Sequence, residues 1–168
     1  MNFDHSSPTK SRGILVIVRK ISENTLTVNL NEAGFSLFTY KYPLLDATVT
    51  MENIPIPVAS HLDLSLMKLG AINQRGTCKD FIDLKILIES NAYTFEWLTL
   101  ELSEKYNIGK EMELQLKKSL VYFDDAERDL NIYLYSENKR TFEMLSDQNW
   151  KTTRVFYEKF VKSKRKKF

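Results

Sequence analysis

The sequence predicts an α+β fold in which an antiparallel β-meander comes first and a helical bundle follows. β-branched and aromatic residues dominate residues 14–42, polar breaks interrupt that stretch, and helical periodicity begins abruptly after Val58. The 168 residues are enough for one hydrophobic core with a minor subdivision. We therefore expect an incomplete sheet domain at residues 1–58 and a helical domain at residues 59–168.

The strand predictions follow from the polar breaks. Residues 22–24 and 31–34 have the composition of hairpin turns. They separate three predicted strands, at residues 13–20, 25–31 and 35–40. A short further pair is expected at residues 48–51 and 54–58, and two prolines in its second strand place that strand at an edge or in a connector. The meander keeps at least one unpaired edge, which predicts a homodimer.

The helical half opens with two capped helices. Ser60 can cap a helix at residues 61–74 and Thr77 a second one at residues 78–90, with Gly76 where a helix end takes a left-handed residue. Further helical periods lie at residues 94–106, 109–121 and 149–163. No apolar run reaches the roughly 18 residues that a membrane helix requires. A soluble, cytoplasmic protein without membrane contact is expected.

Two cations and two aspartates fall on the first two predicted helices. Lys68 and Arg75 are seven residues apart and share a stripe of a helix that is apolar nearly all round. Asp80 and Asp83 share a stripe of the next helix, so all four charges lie near the turn of a helical hairpin. In one interpretation the ions pair and hold the hairpin together, because buried charges need partners. In the other, the cations bind phosphate oxygens and an aspartate assists a metal or a nucleophile.

The C-terminal end is strongly basic. Residues 151–168 hold eight Lys or Arg side chains against one Glu, whereas the residues before them carry a net negative charge. Such an end is compatible with RNA or DNA contact and equally with a solvated terminus. The single cysteine, Cys78, forms no intramolecular disulfide, and the chain has no Cys and His cluster typical of a zinc site.

The string DLSLMKLGAINQRGTCKDFIDL, residues 63–84, fits the pattern D-x-x-x-x-K-L-x-A-I-x-x-R-G-x-x-K-D-F-I-D-L. In this it resembles the C-terminal part of AbiEii/AbiGii-type nucleotidyltransferase toxins. Further similar landmarks extend the resemblance over residues 14–162: residues 24–27, 42–45, 105–106, 122–127 and Trp150.

The resemblance implies a minimal polymerase-β-type nucleotidyltransferase, of whose sheet the meander would be a remnant. It implies NTP and Mg²⁺ as cofactors, and an antitoxin and tRNA or another nucleic acid as partners, in a bacterial toxin–antitoxin or abortive-infection system. Lys68 would contact the triphosphate and Asp80 would act at the catalytic centre. By this resemblance, Lys68 and Asp80 are the expected catalytic residues. Lys68, Arg75 and Lys79 are the expected nucleotide-binding residues, and Asp63 and Asp83 are expected to support them.

The metal-binding motif of that family is missing from this sequence. Family members begin with a Gly-Gly/Ser turn and a D-x-D strand that holds two Mg²⁺ ions, whereas here Gly13 stands alone and Asp4 has no second aspartate. Two-metal phosphoryl transfer needs those carboxylates. We therefore expect an NTP-handling helical half that is inactive alone, with a complementing N-terminal chain as an alternative partner to a second copy. The alternative function is a non-enzymatic protein- or RNA-binding module in which the charges form a structural salt-bridge network.

Overall fold

The computed structural model describes residues 9–11, 13–52, 54–109, 111–136 and 138–163. Antiparallel strands come first and helices follow, which confirms the α+β prediction. The chain divides into two compact units, Met1–Tyr42 and Pro43–Phe168. This division falls before the expected boundary at residues 58 and 59, so the predicted second strand pair belongs to the helical unit. Asp4 and the last basic residues, 164–167, lie outside the described residues.

The first unit is an antiparallel sheet whose strands lie side by side in sequence order. They are β1 (Thr9–Ser11), β2 (Ile14–Ser22), β3 (Thr25–Leu30) and β4 (Ala33–Phe38). The expected meander is thus confirmed as β2 to β4. β1 adds a short fourth strand that its polar composition did not indicate. A bulge interrupts β2 between Val18 and Lys20 and shifts the register there.

One face of this sheet is apolar. Its cross-strand rows are Val18, Val28 and Phe35, and next to them Ile21, Leu26 and Leu37. Val28 in the middle strand is 8% exposed, whereas Phe35 and Leu37 on β4 remain 48% and 54% exposed. The opposite face is more polar, and there Thr27 and Ser36 lie with their hydroxyl oxygens 3.4 Å apart.

The second unit contains five α-helices among its described residues. The elements are β5 (Val49–Met51), β6 (Ile54–Val58), α1 (His61–Gln74), α2 (Cys78–Asn91), α3 (Phe95–Tyr106), α4 (Met112–Leu120), a 3-10 helix (Ala126–Arg128), β7 (Tyr133–Ser136), β8 (Thr141–Met144) and α5 (Asp147–Phe160). Each predicted helix is present, although α5 begins earlier than expected because Ser146 caps it. The β7–β8 hairpin was not predicted. None of the described helices combines the length and the apolar character needed to cross a membrane.

Helix α2 lies against an aromatic core. Phe81 is fully buried, and its ring lies 5.3 Å from that of Phe123, 6.1 Å from that of Trp150 and 5.2 Å from that of Tyr157, measured between ring centroids. The Tyr157 hydroxyl also donates to the Phe81 carbonyl oxygen at 2.6 Å. Because Phe81 directly follows Asp80, this packing fixes the start of α2 and with it the position of the Asp80 side chain.

Candidate phosphate-binding site on the α1–α2 hairpin

The turn between α1 and α2 is built from the residues that the sequence indicated. Ser60 accepts from the Asp63 backbone N–H and Thr77 from that of Asp80, so both helices begin with a side-chain cap. Gly76 has φ +52°, and a Cβ there would come within 3.3 Å of the Ile72 carbonyl oxygen. A residue with a side chain would therefore strain this turn and crowd α1.

Lys68, Arg75, Asp80 and Asp83 form one group, the charged cluster. Lys68 Nζ donates to Asp80 Oδ1 at 3.2 Å and to Asp83 Oδ2 at 2.6 Å. Arg75 Nε donates to Asp80 Oδ2 at 3.3 Å, and the Thr77 hydroxyl donates to the same oxygen at 2.6 Å. Asp80 is therefore the centre of the charged cluster, with both of its oxygens engaged.

Exposure rises from the centre of the charged cluster outward. The side chain of Asp80 is 3% exposed, those of Lys68 and Asp83 are 28% and 33% exposed, and that of Arg75 is 68% exposed. Arg75 uses Nε for its ion pair, and no described residue accepts from its two terminal nitrogens. The guanidinium thus retains its terminal donors toward solvent, in the fork geometry that suits phosphate oxygens.

Asp80 and Lys68 hold each other in their charged forms. Burial by itself raises the pKa of Asp80, but hydrogen bonds from Thr77 and Lys68 and the charges of Lys68 and Arg75 outweigh it and lower the pKa. Burial likewise disfavours the Lys68 ammonium, yet Asp83 and Asp80 raise its pKa above the usual value. Asp80 is therefore a carboxylate at neutral pH and a weak base, suited to holding cations in position rather than to accepting a proton.

Asp63 lies in a different ion pair. Lys105 Nζ donates to Asp63 Oδ1 at 2.6 Å and to the Pro43 carbonyl oxygen at 2.6 Å, and both charged side chains are fully buried. Asp63 also accepts from the backbone N–H groups of Leu45 and Asp46, each at 3.1 Å. Asp63 thus anchors the segment before β5 to α1 and α3, outside the charged cluster. Lys105, which lies 42 residues further along the chain, was not predicted as its partner.

The remaining candidates at the start of α2 differ in exposure. Lys79 is exposed one residue after Cys78 and lies outside the ion pairs of the charged cluster. Cys78 is buried, and burial together with the charge of Asp129 raises its thiol pKa to about 11. The thiol therefore stays protonated at neutral pH, which does not suit a nucleophile.

The charged cluster does not fit a Mg²⁺ ion as it stands. Both oxygens of Asp80 accept from cations or a hydroxyl, and Asp83 Oδ2 accepts from Lys68. Over the part of the chain that the structure describes, no three His, Cys, Asp or Glu side chains are grouped so that they could hold a metal ion. The arrangement instead suits the binding of an anion. Two exposed cationic side chains, those of Arg75 and Lys79, lie beside the N-terminus of α2.

The chain is similar to an uncharacterized protein of Aquifex aeolicus. The two are 37% identical over 110 residues, which is 65% of this chain and 52% of the relative. The chain therefore spans about half the length of that relative. No protein-family model matches the chain, and no solved structure matches it. Because the relative is uncharacterized, the similarity assigns no activity.

Proposed function

We propose that this chain is the NTP-handling helical half of a nucleotidyltransferase-like toxin of a bacterial toxin–antitoxin or abortive-infection system. Arg75 and Lys79 bind the triphosphate, Lys68 contributes its charge from the half-buried side, and Asp80 holds Lys68 and Arg75 in place. Asp83 orders the start of α2 through Lys68. This assignment follows the resemblance of residues 63–84 to the AbiEii/AbiGii-type signature, four of whose charged residues, Lys68, Arg75, Asp80 and Asp83, come together in the folded hairpin.

The exposure of Arg75 is the observation that carries this proposal. The side chain of Arg75 is 68% exposed although it pairs with a carboxylate, Asp80, that is only 3% exposed. Here the buried carboxylate of Asp80 fixes Nε, and the terminal nitrogens remain available for a ligand. A side chain already held in one orientation loses less entropy when it binds phosphate.

We propose that another polypeptide segment supplies the metal-binding half. The bound Mg²⁺ ions of such an enzyme would neutralise charge on the transferred phosphoryl group, and their carboxylate ligands are expected outside this chain. We propose that the chain binds nucleotide but does not complete transfer by itself. It acts in the cytoplasm, with an antitoxin and with tRNA or another nucleic acid as partners.

A second function is favoured by a different contact. Lys68 Nζ lies between two carboxylates, at 3.2 Å and 2.6 Å, and this leaves little of its charge for a ligand. In this second candidate the charged cluster is a structural network, and the helices form a protein- or RNA-binding module without enzymatic activity.

The Arg75→Ala variant separates the two functions. We expect it to weaken NTP binding by about tenfold or more, since a hydrogen-bonded ionic contact contributes about 1.5–3 kcal/mol. Its stability should change by less than about 1 kcal/mol, because the side chain is mostly exposed. Isothermal titration calorimetry with each of the four NTPs measures the first effect, and urea unfolding measures the second.

Arg128→Ala is the matched control, since Arg128 is also an exposed arginine in an ion pair, 76% exposed beside Asp125. It should bind NTP like the wild type. Equal weakening in both variants, or a wild type that binds no NTP at millimolar concentration, would leave the structural network as the function of the charged cluster.

The same wild-type preparation, given labelled NTP, Mg²⁺ and total tRNA, should transfer no label. Transfer by the chain alone would contradict the assignment of the metal ligands to another segment.

A further inference from the structure

The two edges of the four-stranded sheet differ in their protection against pairing. On the β1 side, the edge strand has only three residues, and the remainder of β2 carries a bulge beside Arg19. Short strands, charges and bulges are the features that prevent edge pairing. β4, with the sequence AGFSLF, has six residues and none of these features. Among the described residues no strand pairs with its outer edge.

The free backbone groups of β4 can be assigned from its pairing with β3. The Thr39 N–H donates to the Asn24 carbonyl oxygen at 3.1 Å. Since hydrogen bonding alternates along an antiparallel strand, the odd-numbered residues of β4 bond to β3. Gly34, Ser36 and Phe38 therefore direct their N–H and C=O groups toward the outer edge.

This edge is complementary to itself. A second β4 can pair with this edge in antiparallel orientation about a twofold axis at Ser36. Gly34 then lies opposite Phe38 of the other copy. All outward-directed N–H and C=O groups of the two strands are paired, in about six hydrogen bonds. On the apolar face, Phe35 then lies opposite Leu37 of the other copy. On the other face, the Phe38 ring covers Gly34, where nothing lies within 4 Å of an added Cβ.

The size of the first unit also favours a second copy. A unit of 42 residues is near the length below which a domain usually needs oligomerisation to be stable. Phe35, Leu37 and Phe38 each expose about half of their surface, at 48%, 54% and 57%. Pairing the two β4 strands shields these side chains and continues one apolar face across eight strands.

We propose that this chain forms a twofold homodimer by antiparallel pairing of β4 with β4 of a second copy, in the register that places Ser36 opposite Ser36. The dimer contact is made by residues of the first unit, whereas the charged cluster belongs to the second. It presents one continuous sheet whose remaining edges are the protected β1 strands.

Introducing a charge at Ser36 tests both the edge and the register. Wild-type chain in sedimentation equilibrium at micromolar concentration should show twice the monomer mass of 19.7 kDa. Ser36→Glu and Ser36→Lys each place like charges directly opposite one another and should weaken the dimer by at least about tenfold. An equimolar mixture of these two variants should recover the dimer as a mixed pair. Ser36→Ala, which removes only the hydroxyl near Thr27, should leave the dimer intact.

Circular dichroism of each variant verifies that the monomers are folded. A monomeric wild type overturns the proposal. A dimer that persists in both charged variants places the contact elsewhere and also overturns it. If both variants are folded monomers and their mixture stays monomeric, the Ser36 register is wrong.

Discussion

Replacing Lys105 by methionine should lower the free energy of unfolding by about 3–5 kcal/mol. Methionine keeps the length of the buried side chain but removes its charge, and Asp63, which is fully buried, would keep a negative charge without its cation. The segment before β5 would lose the same ammonium as a donor to the Pro43 carbonyl oxygen. Urea unfolding followed by the fluorescence of Trp97 and Trp150 measures the change.

Lys117→Met is the control for this variant. Lys117 pairs with Glu113 one helical turn away, and their side chains are 39% and 47% exposed, so its loss should cost less than about 1 kcal/mol. If the two variants lost similar stability, the Asp63–Lys105 pair would not anchor the segment before β5.

The buried pair also determines how stability responds to acid. Burial raises the pKa of Asp63, but hydrogen bonds from Lys105 and from the Leu45 and Asp46 backbone outweigh it, so the folded-state pKa lies below 3.8. A lowered pKa contributes stability that is fully present above the unfolded value of 3.8 and is lost as the pH falls through the folded value. The decline in stability below about pH 5 should therefore be shallower in Lys105→Met than in the wild type.

The Asp80→Asn variant should lower the free energy of unfolding by about 2–3 kcal/mol. An amide has the shape of the carboxylate, but it lacks the charge that pairs with Lys68 and Arg75, and its NH₂ group would point at one of three donors. The side chain is 3% exposed, so water cannot replace the lost contacts. The same unfolding measurement gives the effect.

Asp83→Asn provides the comparison within the charged cluster. Asp83 is 33% exposed and contacts Lys68, so its substitution should cost less than about 1 kcal/mol. A larger loss in Asp83→Asn than in Asp80→Asn would mean that Asp80 is not the centre of the charged cluster.

The helical hairpin could be predicted from sequence because the signals that build it are local. Ser60, Thr77 and Gly76 lie at the helix ends that they define, and Lys68 pairs with aspartates 12 and 15 residues away across one turn. In both interpretations of the charges, these residues were expected to lie close together near the turn of the hairpin. The sequence did not indicate which of them remains exposed, since that depends on neighbouring helices.

The Asp63–Lys105 pair could not be predicted because it joins residues 42 positions apart. Lys105 lies in the last turn of α3, where a lysine is ordinary on a helix surface. Only the packing of α1 against α3, with the Pro43 segment over both charges, buries it. Tertiary packing thus places Asp63, which the resemblance implied as a supporting residue, in a buried ion pair outside the charged cluster.

The β7–β8 hairpin escaped prediction for a related reason. Its largest side chains, Tyr133, Tyr135 and Phe142, are 66%, 56% and 67% exposed, while Leu134 lies toward the core opposite Glu143. The usual alternation, with apolar side chains inward and polar ones outward, is therefore not present in this pair. The strands, with sequences YLYS and TFEM, thus expose most of their large side chains and lack the alternation that indicates a half-buried strand pair.

The most direct test of phosphate binding at the charged cluster is an NMR titration of ¹⁵N-labelled chain with NTP. We predict saturable shifts of the Arg75 Nε–Hε signal and of the backbone amides of Cys78 and Lys79 at the start of α2. The amide of Asp147, at the equally capped start of α5, should not move. Unchanged Arg75 and α2 signals at millimolar NTP, or shifts as large at α5 as at α2, would contradict phosphate binding at the charged cluster.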